Sequence, residues 1–259
     1  MDIREYTVPL QLAYIGRNFD RLVEEARHTK MPHADFMIGA LEKELEQRRE
    51  NRVQRRIAEA RFPYRKYLAD LDLYEYGDEV RGEIEELMGL GFINARENAV
   101  LIANSGRGKT HLAIGLGVAA CLADQRVLFT NIPNLVIELK EAMSRNAVTA
   151  FKNRFLKYEL VILDELGYIS FDAEGCDILF NLVSNRLNVG SMIITTNLDF
   201  KEWGSVFKDP HLTGALVDRV ARHAYVLDMS GPSYRFKETK SWLTQKGKLK
   251  MEDEGELKQ

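Results

Sequence analysis

The sequence predicts an α/β fold in which a five-stranded parallel sheet, flanked by helices, follows a small all-helical domain. Between residues 99 and 227, five short apolar runs alternate with segments of helical periodicity, which is typical of a parallel sheet covered on both faces. The first 68 residues instead show helical spacing and no strand pattern. Two domains of different class are therefore expected.

The N-terminal region, residues 1–68, is predicted to be helical. A helical pattern begins at Asp35 and stops at Pro63. Its apolar members are Met37, Leu41, Leu45, Val53 and Ile57. Because an acidic stretch follows, we predict a domain boundary after residue 68, a second domain over 69–245 and a charged, frayed tail over 246–259.

The second domain contains the predicted sheet. Its strands are expected at 99–103, 126–130, 160–164, 191–196 and 224–227. Helices are predicted to begin near Lys109, Pro133 and Gly175, and another covers 214–222. Right-handed crossovers between these strands would give a doubly wound sheet, whose ligands bind at the carboxyl ends of the strands.

A glycine-rich loop separates the first strand from its helix, which is the order that a phosphate-binding loop requires. Gly106 and Gly108 permit backbone torsions that turn N–H groups towards a phosphate. Lys109 can then reach the β- and γ-phosphates of ATP, and the Thr110 hydroxyl can bind Mg²⁺. The predicted nucleotide-binding residues are Asn104, Ser105, Gly106, Arg107, Gly108, Lys109, Thr110 and His111.

Position 103 departs from the usual pattern GxxxxGK[ST], because alanine replaces its first glycine. If this residue needed a positive φ, its Cβ would strain the turn and weaken nucleotide binding. An ordinary tight turn between strand and helix is the alternative interpretation of the loop.

Two carboxylates end the third predicted strand. Asp164 is suited to the Mg²⁺ shell, and Glu165 to polarising the water that attacks the γ-phosphate. The alternative is a strand that ends in two solvated acids. Because the glycine loop lies 55 residues upstream of this pair, the catalytic interpretation is favoured.

Three further polar residues follow later strands. Asn197 ends the fourth strand and could orient the attacking water. Arg219 and Arg235 could stabilise charge during phosphoryl transfer, although by sequence alone a surface ion pair is the favoured explanation of either arginine.

The net charge of −3 hides an uneven distribution, because residues 1–68 carry +3 and the remainder −6. A basic cluster over 48–66 predicts contacts to DNA phosphates that do not read bases. Its members are Arg48, Arg49, Arg52, Arg55, Arg56, Arg61, Arg65 and Lys66. A solvated amphipathic helix that packs on the second domain is the alternative.

Composition favours a cytoplasmic protein with no membrane partner. No leader pattern and no run of about 18 apolar residues is present. Cys121 and Cys176 have neither CxxC spacing nor neighbouring histidines, so a disulfide framework and a zinc site are not expected.

Taken together, these motifs resemble the IstB-type transposition helper ATPases, relatives of the DnaC helicase loaders in the AAA+ class. The resemblance spans nearly the whole chain. The motifs are Ala60-Arg61-Phe62-Pro63, Gly108-Lys109-Thr110-His111-Leu112-Ala113, Asp164-Glu165-Leu166-Gly167-Tyr168, Thr196-Asn197, Glu202-Trp203-Gly204, Leu216-Val217-Asp218-Arg219 and Gly231-Pro232-Ser233-Tyr234-Arg235.

The resemblance implies that Asn197 is sensor 1, Arg219 an arginine finger acting in trans and Arg235 sensor 2. It also implies ATP-dependent self-association on double-stranded DNA and stimulation of a partner transposase. A replicative helicase loader and a non-hydrolysing DNA scaffold remain the alternatives.

Overall fold

The structure is a computed structural model that describes residues 2–167 and 172–231. The chain divides into two units, Met1–Ala58 and Glu59–Gln259. Within the described residues, no helix is both long and apolar enough to cross a membrane.

The first unit is helical, as predicted, with α1 at Arg4–Thr7, α2 at Ala13–Thr29 and α3 at His33–Glu59. Its small core contains Ile15, Leu22 and Ala40. The buried Glu44 accepts hydrogen bonds from the N–H groups of Tyr14 (2.8 Å) and Ile15 (3.1 Å), which would otherwise be unpaired in the first turn of α2.

The apolar pattern of α3 is only partly buried. Val53 and Ile57 are buried, whereas Met37, Leu41 and Leu45 are exposed. In the first half of the helix the buried positions are instead Ala40 and Glu44, because α2 is anchored there through Glu44.

The second unit contains a five-stranded parallel sheet, which confirms the predicted fold class. Its strands are β1 (Asn98–Ile102), β2 (Val127–Asn131), β3 (Leu160–Leu166), β4 (Ser191–Thr196) and β5 (Ala224–Asp228). They are ordered β2-β3-β4-β1-β5 and all pairs are parallel. In β1 to β4, buried and mostly apolar side chains follow one another almost without interruption, as expected for strands covered on both faces.

Helices connect the strands and cover the sheet. They are α4 (Asp78–Met88), α5 (Gly91–Ala95), α6 (Lys109–Leu122), α7 (Ile132–Ser144), α8 (Val148–Phe155), α9 (Ala173–Arg186), α10 (Gly204–Phe207) and α11 (Pro210–Ala221). Short 3₁₀ turns occupy Leu68–Asp70, Leu73–Glu75 and Phe200–Glu202.

The boundary between the units lies after Ala58, whereas the sequence predicts a domain boundary after residue 68. Contacts of residues 60–68 with the sheet domain explain the difference. The carbonyl of Ala60 accepts a hydrogen bond from the N–H of Phe129 in β2 (2.7 Å). Phe62 and Leu68 pack against Gly117 and Gly115 of α6, where a Cβ would stand 2.8 Å from either side chain. This segment therefore belongs to the second unit.

Candidate nucleotide-binding site

The glycine-rich loop connects β1 to α6 at the carboxyl edge of the sheet. Gly106 and Gly108 have φ values of 84° and 86°, and Gly108 is the N-cap of α6. Ala103 is buried and, unlike these two glycines, does not have a positive φ. Alanine at this position therefore introduces no φ strain, and the weakening expected from the sequence has no structural basis.

Lys109 is buried in the first turn of α6, with its side chain folded towards the loop. Its Nζ donates to the carbonyls of Ala103 (2.5 Å) and Asn104 (3.0 Å). These bonds hold the ammonium at the centre of the loop, where a phosphate would lie.

Thr110 contacts the acidic end of β3. Its Oγ1 donates to Oδ1 of the buried Asp164 over 3.0 Å. Hydroxyl and carboxylate oxygens are ligands that Mg²⁺ takes, usually together with substrate phosphates and water. The Thr110 and Asp164 pair therefore fits the predicted metal site.

Glu165 lies in a β-bulge, because the register between β3 and β4 shifts between Leu163 and Leu166. Its φ of 66° lies in the left-handed region, which is uncommon for a residue with a Cβ. The side chain is half-buried and faces the same cavity as the glycine loop. The sequence does not predict this conformation, because a regular strand would direct Asp164 and Glu165 to opposite faces.

A cavity of about 260 Å³ lies in front of the loop. One wall is formed by the loop residues from Ser105 to His111, by Glu165 and by Thr195 and Thr196 of β4. The other lining residues belong to segments that the sequence assigns to a DNA-contacting region and a domain junction. They are Tyr64, Lys66, Asp70, Leu71, Asp72, Glu75 and Tyr76.

Arg107 of the loop is tied to two other segments of the second unit. Its guanidinium donates to the carbonyls of Met229 (2.9 Å) and Glu75 (3.1 Å), and it stacks over the ring of Tyr76 at 5.2 Å. The Tyr76 hydroxyl donates back to the carbonyl of Arg107 over 2.8 Å. Burial raises the pKa of Tyr76, so this hydroxyl stays protonated at neutral pH. Arg107 thus fixes the loop between the end of β5 and residues 75–76.

His111 and Asn197 lie at the margin of the site. Nε2 of His111 is 3.1 Å from the carbonyl of Tyr67. Asn197 is exposed after β4, and its Oδ1 lies close to Gly167, where a Cβ would stand 3.2 Å from it. This places the amide beside the residues that follow Glu165.

Of the two predicted arginines, the structure describes Arg219, which does not line this cavity. Arg219 is exposed on α11, with its guanidinium 5.6 Å from the ring centre of Phe180 in α9. Arg235 lies outside the described residues, as do Tyr168 and the predicted tail.

The basic cluster is divided between the two units. Arg48, Arg49, Arg52, Arg55 and Arg56 lie on α3, and all except the half-buried Arg56 are exposed. Arg48 pairs with Glu44 over 3.1 Å. In the second unit, Arg61 pairs with Glu138 over 3.0 Å, Arg65 is exposed, and Lys66 lines the cavity. The eight residues therefore do not form one continuous helix face.

Comparison with known proteins identifies relatives of similar length. A family model described as IstB-like ATP binding protein matches residues 7–241. The ATP-binding protein of insertion sequence IS21 from Pseudomonas aeruginosa is 34% identical over 88% of this chain and 86% of its own length. The corresponding protein of IS232 from Bacillus thuringiensis subsp. berliner is 32% identical over 88% of this chain and 92% of its own.

Solved structures share the fold at low identity. A DnaC helicase loader superimposes with a TM-score of 0.51 and 19% identity, covering 64% of this chain and 92% of that one. AMPPCP-bound DnaA from Aquifex aeolicus gives a TM-score of 0.55 at 17% identity, covering 73% of this chain and 57% of that one.

Proposed function

Because this chain belongs to the family of IstB-like ATP-binding proteins, we propose that it is a Mg²⁺-dependent ATPase that assembles on double-stranded DNA and recruits and stimulates a partner transposase. Its fold and family are those of AAA+ ATP-binding proteins of insertion sequences. The observation that carries the proposal of hydrolysis is the contact of Thr110 with Asp164, because Thr110 and the neighbouring Glu165 both line the cavity of the glycine loop.

In the proposed reaction, the loop binds the triphosphate and Lys109 exchanges its two carbonyl partners for phosphate oxygens. Thr110 and Asp164 would hold Mg²⁺, which neutralises charge that develops on the phosphates. Glu165 accepts a proton from the attacking water, which is the role that its half-buried carboxylate at the cavity wall permits. Asn197 orients that water.

Two arginines complete the proposed site. Arg219 is exposed on α11, so its guanidinium can reach a nucleotide held by a second copy of the chain. We assign it the role of an arginine finger in trans and Arg235 that of sensor 2, as the family resemblance implies. Self-association is then a condition of efficient hydrolysis.

The DNA contact is proposed for the basic residues of the cluster, chiefly the five arginines of α3. Guanidinium groups bind phosphates without reading bases, so target choice would be loose. We further propose that Arg61 and Arg65 contribute to this contact, whereas Lys66, which lines the cavity, is better placed for the nucleotide.

A test of the proposed function compares ATP hydrolysis with and without duplex DNA, in Mg²⁺ and in excess EDTA. Turnover that needs Mg²⁺ and rises with duplex DNA is expected. ATP binding without turnover under all four conditions would instead support the non-hydrolysing scaffold.

The transposase partner is tested separately. Strand transfer by an insertion-sequence transposase should increase when the ATPase and ATP are both present. Stimulation of a ring helicase on single-stranded DNA, with no effect on the transposase, would instead identify a helicase loader. We expect the protein to act in the cytoplasm in either case.

A further inference from the structure

Thr195 of β4 stands alone opposite two residues of β3. Leu163 pairs with Ile194 and Leu166 pairs with Thr196, so Asp164 and Glu165 share a single partner position. Two residues opposite one define a β-bulge, which interrupts the regular ladder of backbone hydrogen bonds. Buried backbone N–H and carbonyl groups that lose these ladder bonds need other hydrogen-bond partners.

The hydroxyl of Thr195 replaces one of these bonds. It accepts a hydrogen bond from the N–H of Glu165 over 3.0 Å and donates to Oδ1 of Asp164 over 2.6 Å. Thr195 is only 1% exposed, so water does not compete for these bonds. One side chain thus contacts the backbone of one carboxylate residue and the side chain of the other.

These two bonds have consequences for both residues. The bond to Oδ1 fixes the Asp164 carboxylate together with Thr110, which donates to the same oxygen over 3.0 Å. The bond from the N–H of Glu165 holds that residue in its left-handed conformation, with φ of 66°. That conformation allows the side chain of Glu165 to line the cavity, while its neighbour Asp164 contacts Thr110, another lining residue.

We propose that Thr195 is a positioning residue, which orients Asp164 towards Mg²⁺ and Glu165 towards the attacking water. This inference rests on the proposed ATPase function. It differs from a purely structural role because it predicts that loss of the hydroxyl affects Mg²⁺ binding and turnover but leaves Mg²⁺-independent nucleotide binding intact.

The test uses T195V, which keeps the shape of the side chain and removes the hydroxyl, and T195S, which keeps the hydroxyl. T130V is the matched control, because Thr130 is buried at the end of the adjacent strand β2 and its hydroxyl donates to the carbonyl of Asn131 (3.2 Å). ATP affinity is measured by calorimetry in Mg²⁺ and in EDTA, and hydrolysis is measured as a function of Mg²⁺ concentration.

For T195V we expect the Mg²⁺ concentration at half-maximal hydrolysis to rise about tenfold or more, as for other residues that orient metal ligands. ATP affinity in EDTA should stay within about twofold of the parent, since the loop is untouched. T195S should recover most of the loss, and T130V should behave as the parent. If T195V does not fold, T195A paired with T195S gives the same comparison.

Two results would overturn the inference: an unchanged Mg²⁺ dependence in T195V, or an equal loss of ATP affinity in Mg²⁺ and in EDTA. A parent protein that binds ATP better in Mg²⁺ but never hydrolyses it would overturn the proposed ATPase instead. In that case the Mg²⁺-dependent part of ATP affinity still decides the role of Thr195 in orienting Asp164.

Discussion

Glu165 is the residue whose conformation most clearly indicates a functional site. A residue with a Cβ in a sparsely populated backbone region costs about 1–3 kcal/mol, and such residues cluster at active sites. Its neighbours Asp164 and Leu166 are buried in β3, which holds the strained residue in place. The strain is explained if the carboxylate must face the nucleotide rather than the opposite side of the sheet.

We expect Glu165→Gln to bind ATP normally and to lower turnover by about 10²-fold or more, because an amide has no basic oxygen to accept the proton. Binding is measured by calorimetry and turnover by phosphate release. Glu174→Gln is a suitable control, since Glu174 is an exposed residue in the first turn of α9. Equal turnover in Glu165→Gln and the parent would remove Glu165 as the base.

Arg107 is a buried residue whose side chain attaches the glycine loop to other segments of the chain. Arg107→Met would leave the carbonyls of Met229 and Glu75 without their donor, so we expect a loss of about 2–4 kcal/mol in the free energy of unfolding. ATP affinity should fall as well, because the loop loses its attachment. Urea unfolding and calorimetry measure the two effects.

The matched control for this change is Arg81→Met. Arg81 also combines an ion pair, to Asp78, with a position over a tyrosine ring, but Asp78 is 91% exposed. We expect a loss of at most about 1 kcal/mol. Similar losses in the two variants would show that the Arg107 contacts with Met229 and Glu75 do not stabilise the loop.

At the scale of elements, the sequence is sufficient to predict features that depend on residues close together in the chain. Each of the five strands lies within two residues of its predicted bounds, because a strand buried on both faces leaves a continuous apolar run. The start of α6 at Lys109 is likewise predicted, since a phosphate-binding loop has the order strand, glycine loop and helix.

Contacts between distant segments are what the sequence does not predict. Residues 64–76 read as a basic segment followed by an acidic junction, yet they form one wall of the cavity. The role of Thr195 depends on the bulge in β3, and strand alternation gives no sign of a bulge. The pairing of Phe62 and Leu68 with Gly117 and Gly115 could have been suspected, because glycines inside an apolar helix often mark close packing.

Helix α3 holds five of the arginines that we propose to contact DNA. Changing Arg52, Arg55 and Arg56 together to Ala should weaken duplex binding and lower the slope of log K against log salt by about 2.7, which is 0.9 for each DNA phosphate that the protein no longer neutralises. The slope is obtained from binding titrations at several salt concentrations.

The control removes three exposed arginines from α2 of the same unit, Arg17, Arg21 and Arg27. It matches the loss of charge and should leave the slope nearly unchanged. If both triple variants lower the slope equally, general charge rather than the α3 arginines accounts for binding.

At the scale of the whole molecule, the sheet order gathers the site at one edge. β1 lies between β4 and β5, so the glycine loop, Thr195 and the carbonyl of Met229 that binds Arg107 all lie at the carboxyl ends of neighbouring strands. Arg107 is the only arginine among the described residues that line the cavity, and its guanidinium already binds backbone carbonyls. An arginine that stabilises the transition state must therefore come from elsewhere, and a second copy of the chain is the source that we propose.

Mixing two inactive variants tests this source. Arg219→Ala should lose about 10³-fold or more in DNA-stimulated turnover, the usual effect of removing an arginine finger. Glu165→Gln is inactive for a different reason, since it retains Arg219. When the two are mixed, a site formed by Glu165 of one variant and Arg219 of the other is complete. Random assembly of equal amounts makes about one quarter of such heterologous sites complete, so about a quarter of the parent rate is expected.

Arg222→Ala, on an exposed arginine just after α11, is the matched control and should keep parental turnover. A mixture no more active than its components would place Arg219 in its own subunit's site or outside catalysis.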